Sequence, residues 1–228
     1  MTEKRILLVD GDIVIYKAAF AVESVHDFSD GDSGQWVTTA NLDDAKAKFN
    51  DIIAAVARKV AVDAVAIALT HSENWRKEVL PTYKQPRSKV RRPILLKPMK
   101  EWVLAEFKAY VRDTLEADDV LGILATWDGM PGTKIIASID KDLLQIPGRH
   151  INIDTFEKTM VNDAVGSRLH MTQTLTGDQV DNYPGCSGVG KKTAEAVLSA
   201  APQTPEGWWE AVVKTYAKKG LTEEDALV

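Results

Sequence analysis

The chain has 228 residues, 45% hydrophobic and 27% charged, with a net charge of −5; this balance fits one globular domain with a small appendage and excludes a disordered chain. Its single cysteine, Cys186, excludes an intramolecular disulfide and a cysteine-rich zinc site, and the apolar runs, interrupted by Arg58, Lys59 and Asp63, fall well short of the roughly 20 residues of a membrane span. An N-terminus that reads as a charged start running into a strand, not as a signal peptide, completes the expectation of a reducing, cytoplasmic setting with no membrane partner.

In chain order, Arg5 to Val9 has the continuous apolar character of a buried parallel strand and runs into Asp10-Gly11-Asp12. A helix is predicted from about Asp12, carrying Ile13, Tyr16, Lys17 and Phe20, then a polar loop from about Glu23 to Thr39. Asn41 is the predicted N-cap of a helix with Leu42, Ala45, Phe49, Ile52, Ile53 and Val56 on one face, and Ala64 to Leu69 is a second strand. Pro81, Pro86, Pro93 and Pro98 punctuate the next segment, after which Met99, Trp102, Val103 and Phe107 resume helical spacing. A strand near Ala109 to Val111 leads to Glu116 and a helix with Val120, Leu121, Ile123 and Leu124; Lys134 to Ile139 is a further strand ending at Asp140. Alternating apolar strands and helices imply an α/β fold with a mostly parallel central sheet flanked by helices.

Charge is segregated along this pattern. Residues 76–100 hold nine Lys and Arg against Glu78 alone, so the remainder of the chain is strongly acidic. Either the segment is a solvated loop or it faces an anionic partner. The acids gather in LLVDGD, LEADD, SIDKD and GDQVD, giving Asp10, Glu116, Asp118, Asp119, Asp140, Asp142, Asp178 and Asp181. Any one of these reads equally as a turn or cap residue. Asp10 and Asp140 sit where predicted strands end, and Glu116 and Asp118 follow another, which is where α/β sheets bind ligands. Two carboxylates ~4 Å apart repel by roughly 4 kcal/mol at an effective dielectric of about 20, which a divalent cation relieves. An oxygen-only donor set suits Mg²⁺ or Mn²⁺, and a pair of ions suits phosphoryl transfer to water.

Gly188-Val189-Gly190, followed by a helix from Lys191 to Leu198 and preceded by a short predicted helix, forms a helix-hairpin-helix pattern whose backbone N–H groups, with Lys191 and Lys192, suit a DNA phosphate. Gly185 through Lys191 also fits G-x-x-x-x-G-K, but Lys192 stands where a P-loop needs Ser or Thr and no strand precedes it, so that reading fails.

LLVDGD, LPTYKQPR, LEADDVLG, SIDKDLLQIPG and TGDQVDNYPGCSGVGKKTAEAVL occur in the order found in the flap endonuclease and 5′–3′ exonuclease superfamily. HSENWRKEVLPTYKQPRSKV and AKKGLTEEDALV resemble most the exonucleases of T-odd phages. The resemblance implies a PIN-like nuclease core over 1–175, with the basic segment of about 76–100 arching over the active site, and a helix-hairpin-helix region over 176–228. It implies Asp10, Glu116, Asp118 and Asp119 around a first metal, Asp140 and Asp142 between two ions, and Asp178 and Asp181 around the second, with K⁺ at the helix-hairpin-helix. Lys84 and Arg87 match residues that steer the scissile phosphate, and Tyr16 an aromatic that stacks on the terminal base. Lys17, Tyr83, Lys89, Arg91 and Arg92 are further candidates for DNA contact, with Trp75 a weaker stacking candidate beside Tyr83; such stacking is worth roughly 1–3 kcal/mol per base. The expected partner is DNA with a 5′ end or flap, extending to RNA–DNA hybrids, bound by a monomer.

The sequence departs from that superfamily after Leu69. Relatives place a metal-binding aspartate there, whereas this chain has Thr70-His71-Ser72. His71 as ligand, phosphate contact or bystander are the open readings, and a neutral imidazole predicts weaker Mg²⁺ affinity or a preference for Mn²⁺. Thr222-Glu223-Glu224-Asp225 reads as a capping box announcing a helix that barely completes one turn before Val228, the expectation being that related chains continue further. The alternatives to a DNA 5′-nuclease are a PIN-like ribonuclease and a DNA-binding module with impaired catalysis.

Overall fold

A computed structural model describes residues 3–27 and 36–227. A six-stranded sheet has the order β5-β4-β1-β6-β7-β8, from β1 (Arg5–Asp10), β4 (Ala64–Ala68), β5 (Ala109–Tyr110), β6 (Thr133–Ser138), β7 (Gly148–Asn152) and β8 (Lys158–Val161). β1 lies parallel between β4 and β6, and β4–β5 and β6–β7 are parallel too. Successive strand residues face opposite sides. Leu7, Val9, Ile67, Ile135 and Ala137 join one core with the helices α1 (Gly11–Ala21), α2 (Leu42–Val60) and α4 (Leu96–Glu106). Ile6, Leu8, Ala66, Ala68 and Ile136, also buried, alternate with them, and α5 (Ala117–Thr126) packs on β1, β4 and β6. Burial on both faces is why these strands read as unbroken apolar runs.

The predicted elements fall into place with local corrections. Asn41 caps α2, its Oδ1 accepting the N–H groups of Asp43 and Asp44. α1 carries Ile13, Tyr16, Lys17 and Phe20 as expected, and its buried face is Gly11, Val14, Ile15, Ala18 and Ala19. The loop expected over 23–39 contains an antiparallel pair, β2 (Ser24–Asp27) with β3 (Trp36–Thr39); β2 has only Val25 as a strand-favouring residue, so the sequence gives it little strand signal, and 28–35 lie outside the described residues. The helix expected just before Gly188 is absent: turns and an isolated Asp178–Tyr183 bridge occupy that stretch.

By contacts the chain divides into two units. The first comprises Met1–Glu73, Arg91–Asp140 and Gly148–Thr159; the second comprises Asn74–Val90, Lys141–Pro147 and Met160–Val228. The second holds the short α3 (Arg76–Val79), α6 (Asp163–Thr176), α7 (Lys191–Ala200), α8 (Pro205–Ala217) and α9 (Glu223–Leu227). Its own core is Leu175, Cys186, Val189, Ala194, Leu198, Trp208, Val212, Tyr216 and Ala226. Tyr216 donates to the Thr174 carbonyl at 2.8 Å, and Arg168, stacked over Trp208, ties α6 to Glu195 and Ser199 of α7.

Gly11 is set by close approach. A Cβ there would meet Ile67 Cγ2 at 2.4 Å and the Ala68 carbonyl oxygen at 2.8 Å, so only glycine lets α1 begin against β4. Gly11→Ala should therefore destabilise the protein by about 1–3 kcal/mol, the usual penalty of forced overpacking, seen as an earlier urea-unfolding midpoint. A midpoint equal to wild type would show that α1 shifts freely.

Candidate metal and phosphate sites

In the first unit the strand ends carry the acids. Asp10 ends β1 and caps α1, its Oδ1 accepting the Ile13 N–H at 3.2 Å. Its Oδ2 accepts from the Ser138 hydroxyl at 2.9 Å, and the same Ser138 Oγ accepts the Asp140 N–H at 3.0 Å. Ser138, the last residue of β6, thus ties Asp10 to the turn bearing Asp140. Asp10 is almost wholly enclosed at 2% exposure, and its carboxyl is pushed up to about 6, first by burial and then by the charges of Asp12 and Asp140, against the lowering effect of its two hydrogen bonds.

Glu116 and Asp119 cap α5 reciprocally, each carboxylate accepting the other's backbone N–H, that of Glu116 at 2.9 Å. The cap uses part of each carboxylate, and Asp118 lies in the same first turn. The structure places His71 differently from a free ligand. Its Nδ1 lies 3.2 Å from both the Glu73 and Thr114 N–H groups, so it is the acceptor, and Nε2 faces the exposed Asp113 at 3.8 Å. In this tautomer the imidazole staples two loops and leaves no lone pair for a metal.

In the second unit, Asp181 pairs with two basic side chains, Lys84 and Arg87. Arg87 Nη2 lies 2.5 Å from Asp181 Oδ1, Lys84 Nζ 3.7 Å from Oδ2, and Tyr83 Oη donates to Oδ2 at 3.1 Å. Lys84 adopts the left-handed conformation at φ 54°, where its N–H reaches the Asp181 carbonyl at 2.9 Å; such a conformation costs a non-glycine residue about 1 kcal/mol or more and persists only when held. Asp178 accepts the Val180 and Asp181 N–H groups and shapes the turn. Asp142 accepts from Gln173 of α6, and Gly166 allows that approach, since a Cβ there would meet the Gln145 carbonyl at 2.3 Å.

The remaining candidates divide by environment. Tyr16 packs against Phe20, ring centroids 6.0 Å apart, and Lys17 pairs with Asp154 at 2.8 Å. Arg91 pairs with Glu23 at 2.6 Å and stacks over Phe20, holding the Glu23 carboxyl below its usual range. Trp75 stacks with Arg76, whose guanidinium also faces Tyr83. Lys89, Arg92, Lys191 and Lys192 are exposed, as are Gly188, in the left-handed region at φ 74°, and Gly190, the N-cap of α7 without a side-chain cap. Four residues outside the sequence-derived candidates join these groups: Ser138 contacts Asp10, Gln173 contacts Asp142, and Asp12 and Lys100 contact each other and Thr70.

Among the described residues no three His, Cys, Asp or Glu side chains converge closely enough to hold an ion by themselves. Mg²⁺ keeps several waters and takes only one or two carboxylates, so a buried Asp10 on which the charges of Asp12 and Asp140 act fits a hydrated divalent ion. The sign of the Asp10 shift gives a stability test. A carboxyl whose folded pKa exceeds its unfolded value contributes stability below about pH 4 and loses it as pH rises through about 6. Asp10→Asn should raise the melting temperature of metal-free protein at pH 8 by roughly 2–12 °C, about 1–3 kcal/mol in a chain of this size, with little change at pH 4. Equal shifts at both pH values would remove the charge explanation.

A parallel sheet with acids at its strand ends, flanked by helices, defines the class as a PIN-like α/β fold. The whole chain aligns with bacteriophage T5 5′-exonuclease structures: one described as a flap endonuclease complex with DNA and metal ions has a TM-score of 0.72 at 15% identity, covering 98% of this chain and 86% of that one, and one described as binding zinc has a TM-score of 0.69, again at 15% identity, covering 98% and 88%. In sequence, the chain is 29% identical to the exodeoxyribonuclease of Enterobacteria phage T3 over 99% of its length and 85% of the relative's. It is also 28% identical to the 5′–3′ exonuclease of Bacillus subtilis over 87% and 71%. The family model of the 5′–3′ exonuclease N-terminal resolvase-like domain matches residues 5–173. The chain belongs to the 5′–3′ exonuclease family.

Proposed function

We propose that the chain is a divalent-metal-dependent 5′-nuclease that hydrolyses phosphodiesters at the 5′ end or flap of DNA, releasing mono- or short oligonucleotides. The observation that carries this reading is the Asp10–Ser138–Asp140 arrangement, in which a carboxylate raised first by burial also feels the charges of Asp12 and Asp140, a repulsion that a cation would relieve. The relatives' names agree, the T3 protein being an exodeoxyribonuclease. Asp10, Glu116, Asp118 and Asp119 would surround one ion and Asp178 and Asp181 a second, with Asp140 and Asp142 shared by the two, most of these acids acting through bound water. Bound Mg²⁺ or Mn²⁺ supplies an activated water and a clamp on the phosphate.

The chain's own groups supply the rest. Ser138 orients Asp10 and fixes the Asp140 turn. Lys84 and Arg87 bring positive charge for the scissile phosphate, and Asp181 holds them as a counter-ion until phosphate arrives. Tyr16 and Tyr83 offer rings for base stacking, which is sequence-tolerant because every base has a π-face. The uncapped start of α7 with Lys191 and Lys192 offers N–H groups and charge to a duplex backbone, and K⁺ at the Gly188–Gly190 turn would serve the same contact.

Incubating the protein with a 5′-labelled flap duplex, a blunt duplex and an RNA–DNA hybrid, with and without Mg²⁺, tests the reading. Small metal-dependent products from the labelled DNA end are expected. Cleavage of RNA alone, or DNA binding without cleavage, would overturn it.

A further inference from the structure

Lys100, outside every acidic motif, reaches the strand ends of the first unit from α4. Its Nζ lies 2.6 Å from Asp12 Oδ1 and 3.4 Å from the Thr70 carbonyl oxygen. Asp12 uses its other oxygen to accept the Thr70 N–H at 2.9 Å, and the Thr70 hydroxyl accepts the N–H of Ala117, first residue of α5, at 3.0 Å. The ammonium thereby joins α4 to the start of α1 and to Thr70 just after β4, and the Thr70 hydroxyl in turn holds the start of α5. Both side chains are mostly enclosed, Asp12 at 19% and Lys100 at 30% exposure, so water screens the pair weakly. Asp12 is also one of the two acids whose charge acts on Asp10.

We propose that Lys100 is a positioning residue of the metal centre: it neutralises Asp12, keeps that carboxylate from the ion, and through Thr70 fixes the turn that carries Glu116 and Asp118. The inference rests on the nuclease reading above. Releasing Asp12 would add a carboxylate to an already acidic neighbourhood. The ion would bind more tightly but with more of its charge neutralised, and so would activate water and clamp phosphate less well.

The test is a Mn²⁺ titration of the full chain followed by electron paramagnetic resonance, with cleavage of the labelled flap duplex measured in parallel. Lys100→Met should tighten Mn²⁺ binding about 3–10-fold and lower kcat about tenfold, within the range that residues behind metal ligands command. Asp12→Asn alone should leave Mn²⁺ affinity within about twofold, and combined with Lys100→Met should return it to the wild-type value; Lys100→Arg should preserve both readouts. Unchanged or weaker Mn²⁺ binding in Lys100→Met overturns the proposal. So does a tenfold or greater loss in Asp12→Asn, which would make Asp12 a ligand; this variant decides the matter if Lys100→Met does not fold. Asp10→Asn separates the two levels. Mn²⁺ binding indifferent to Asp10 removes the nuclease reading, whereas loss there with no effect at Lys100 removes only this inference.

Discussion

Asp140→Asn should reduce Mg²⁺-dependent cleavage of a 5′-labelled flap duplex by about 10³-fold or more while leaving the protein folded. The substitution keeps size and backbone, and the Asp140 N–H can still donate to Ser138 Oγ. What is lost is one negative charge at the end of β6. If that charge helps to hold an ion that activates water and stabilises the leaving oxygen, losing it raises the barrier by some 4 kcal/mol or more, at about 1.4 kcal/mol per tenfold. One acid fewer also relieves Asp10, so the melting temperature of the metal-free variant should be equal to or above that of wild type. A variant that retains a tenth of wild-type activity would show that Asp140 is a turn residue and not part of the chemistry.

Arg87→Ala and Lys84→Ala should each lower kcat by about 10²–10³-fold, the scale for removing one charged donor aimed at developing negative charge. Both side chains are paired with Asp181 in the free protein, which gives the prediction a second arm. If phosphate competes with Asp181 for the same two cations, as proposed, Asp181→Asn should tighten binding of a 5′-tailed duplex in EDTA by about 3–10-fold, with cleavage in Mg²⁺ lost. Fluorescence anisotropy measures the first and the product ladder the second. Tightening that persists when Lys84 and Arg87 are both alanine would be a general charge effect and would remove the competition argument.

The sequence exposed the central strands because β1, β4 and β6 are buried on both faces and so carry unbroken apolar runs. It exposed α2 because Asn41 and the spacing from Leu42 to Val56 agree. The stretch from Gly148 to Thr176 stayed unread. In α6 the buried positions are Gly166, Thr174 and Leu175, a glycine, a hydroxyl residue and one leucine, which no hydrophobic period reveals. Thr174 is buried because its carbonyl receives the Tyr216 hydroxyl, a partner on α8. The same division holds at the site. Asp10 and Asp140 were legible because each follows a strand. Ser138, Gln173 and Lys100 were not, since their roles depend on contacts from distant segments. His71 shows the limit from the other side: its residue type left ligand, phosphate contact and bystander open, and only the fold brings the Glu73 and Thr114 N–H groups to its Nδ1.

Cys186, sealed in the core of the second unit, has a practical consequence. Burial pushes its thiol up, so at neutral pH it is both protonated and shielded from reagents that attack thiolates. A cysteine introduced at an exposed position such as Lys89 could then take a maleimide dye or spin label selectively without first removing the native thiol. Optical or magnetic probes could follow the basic segment in real time as DNA enters.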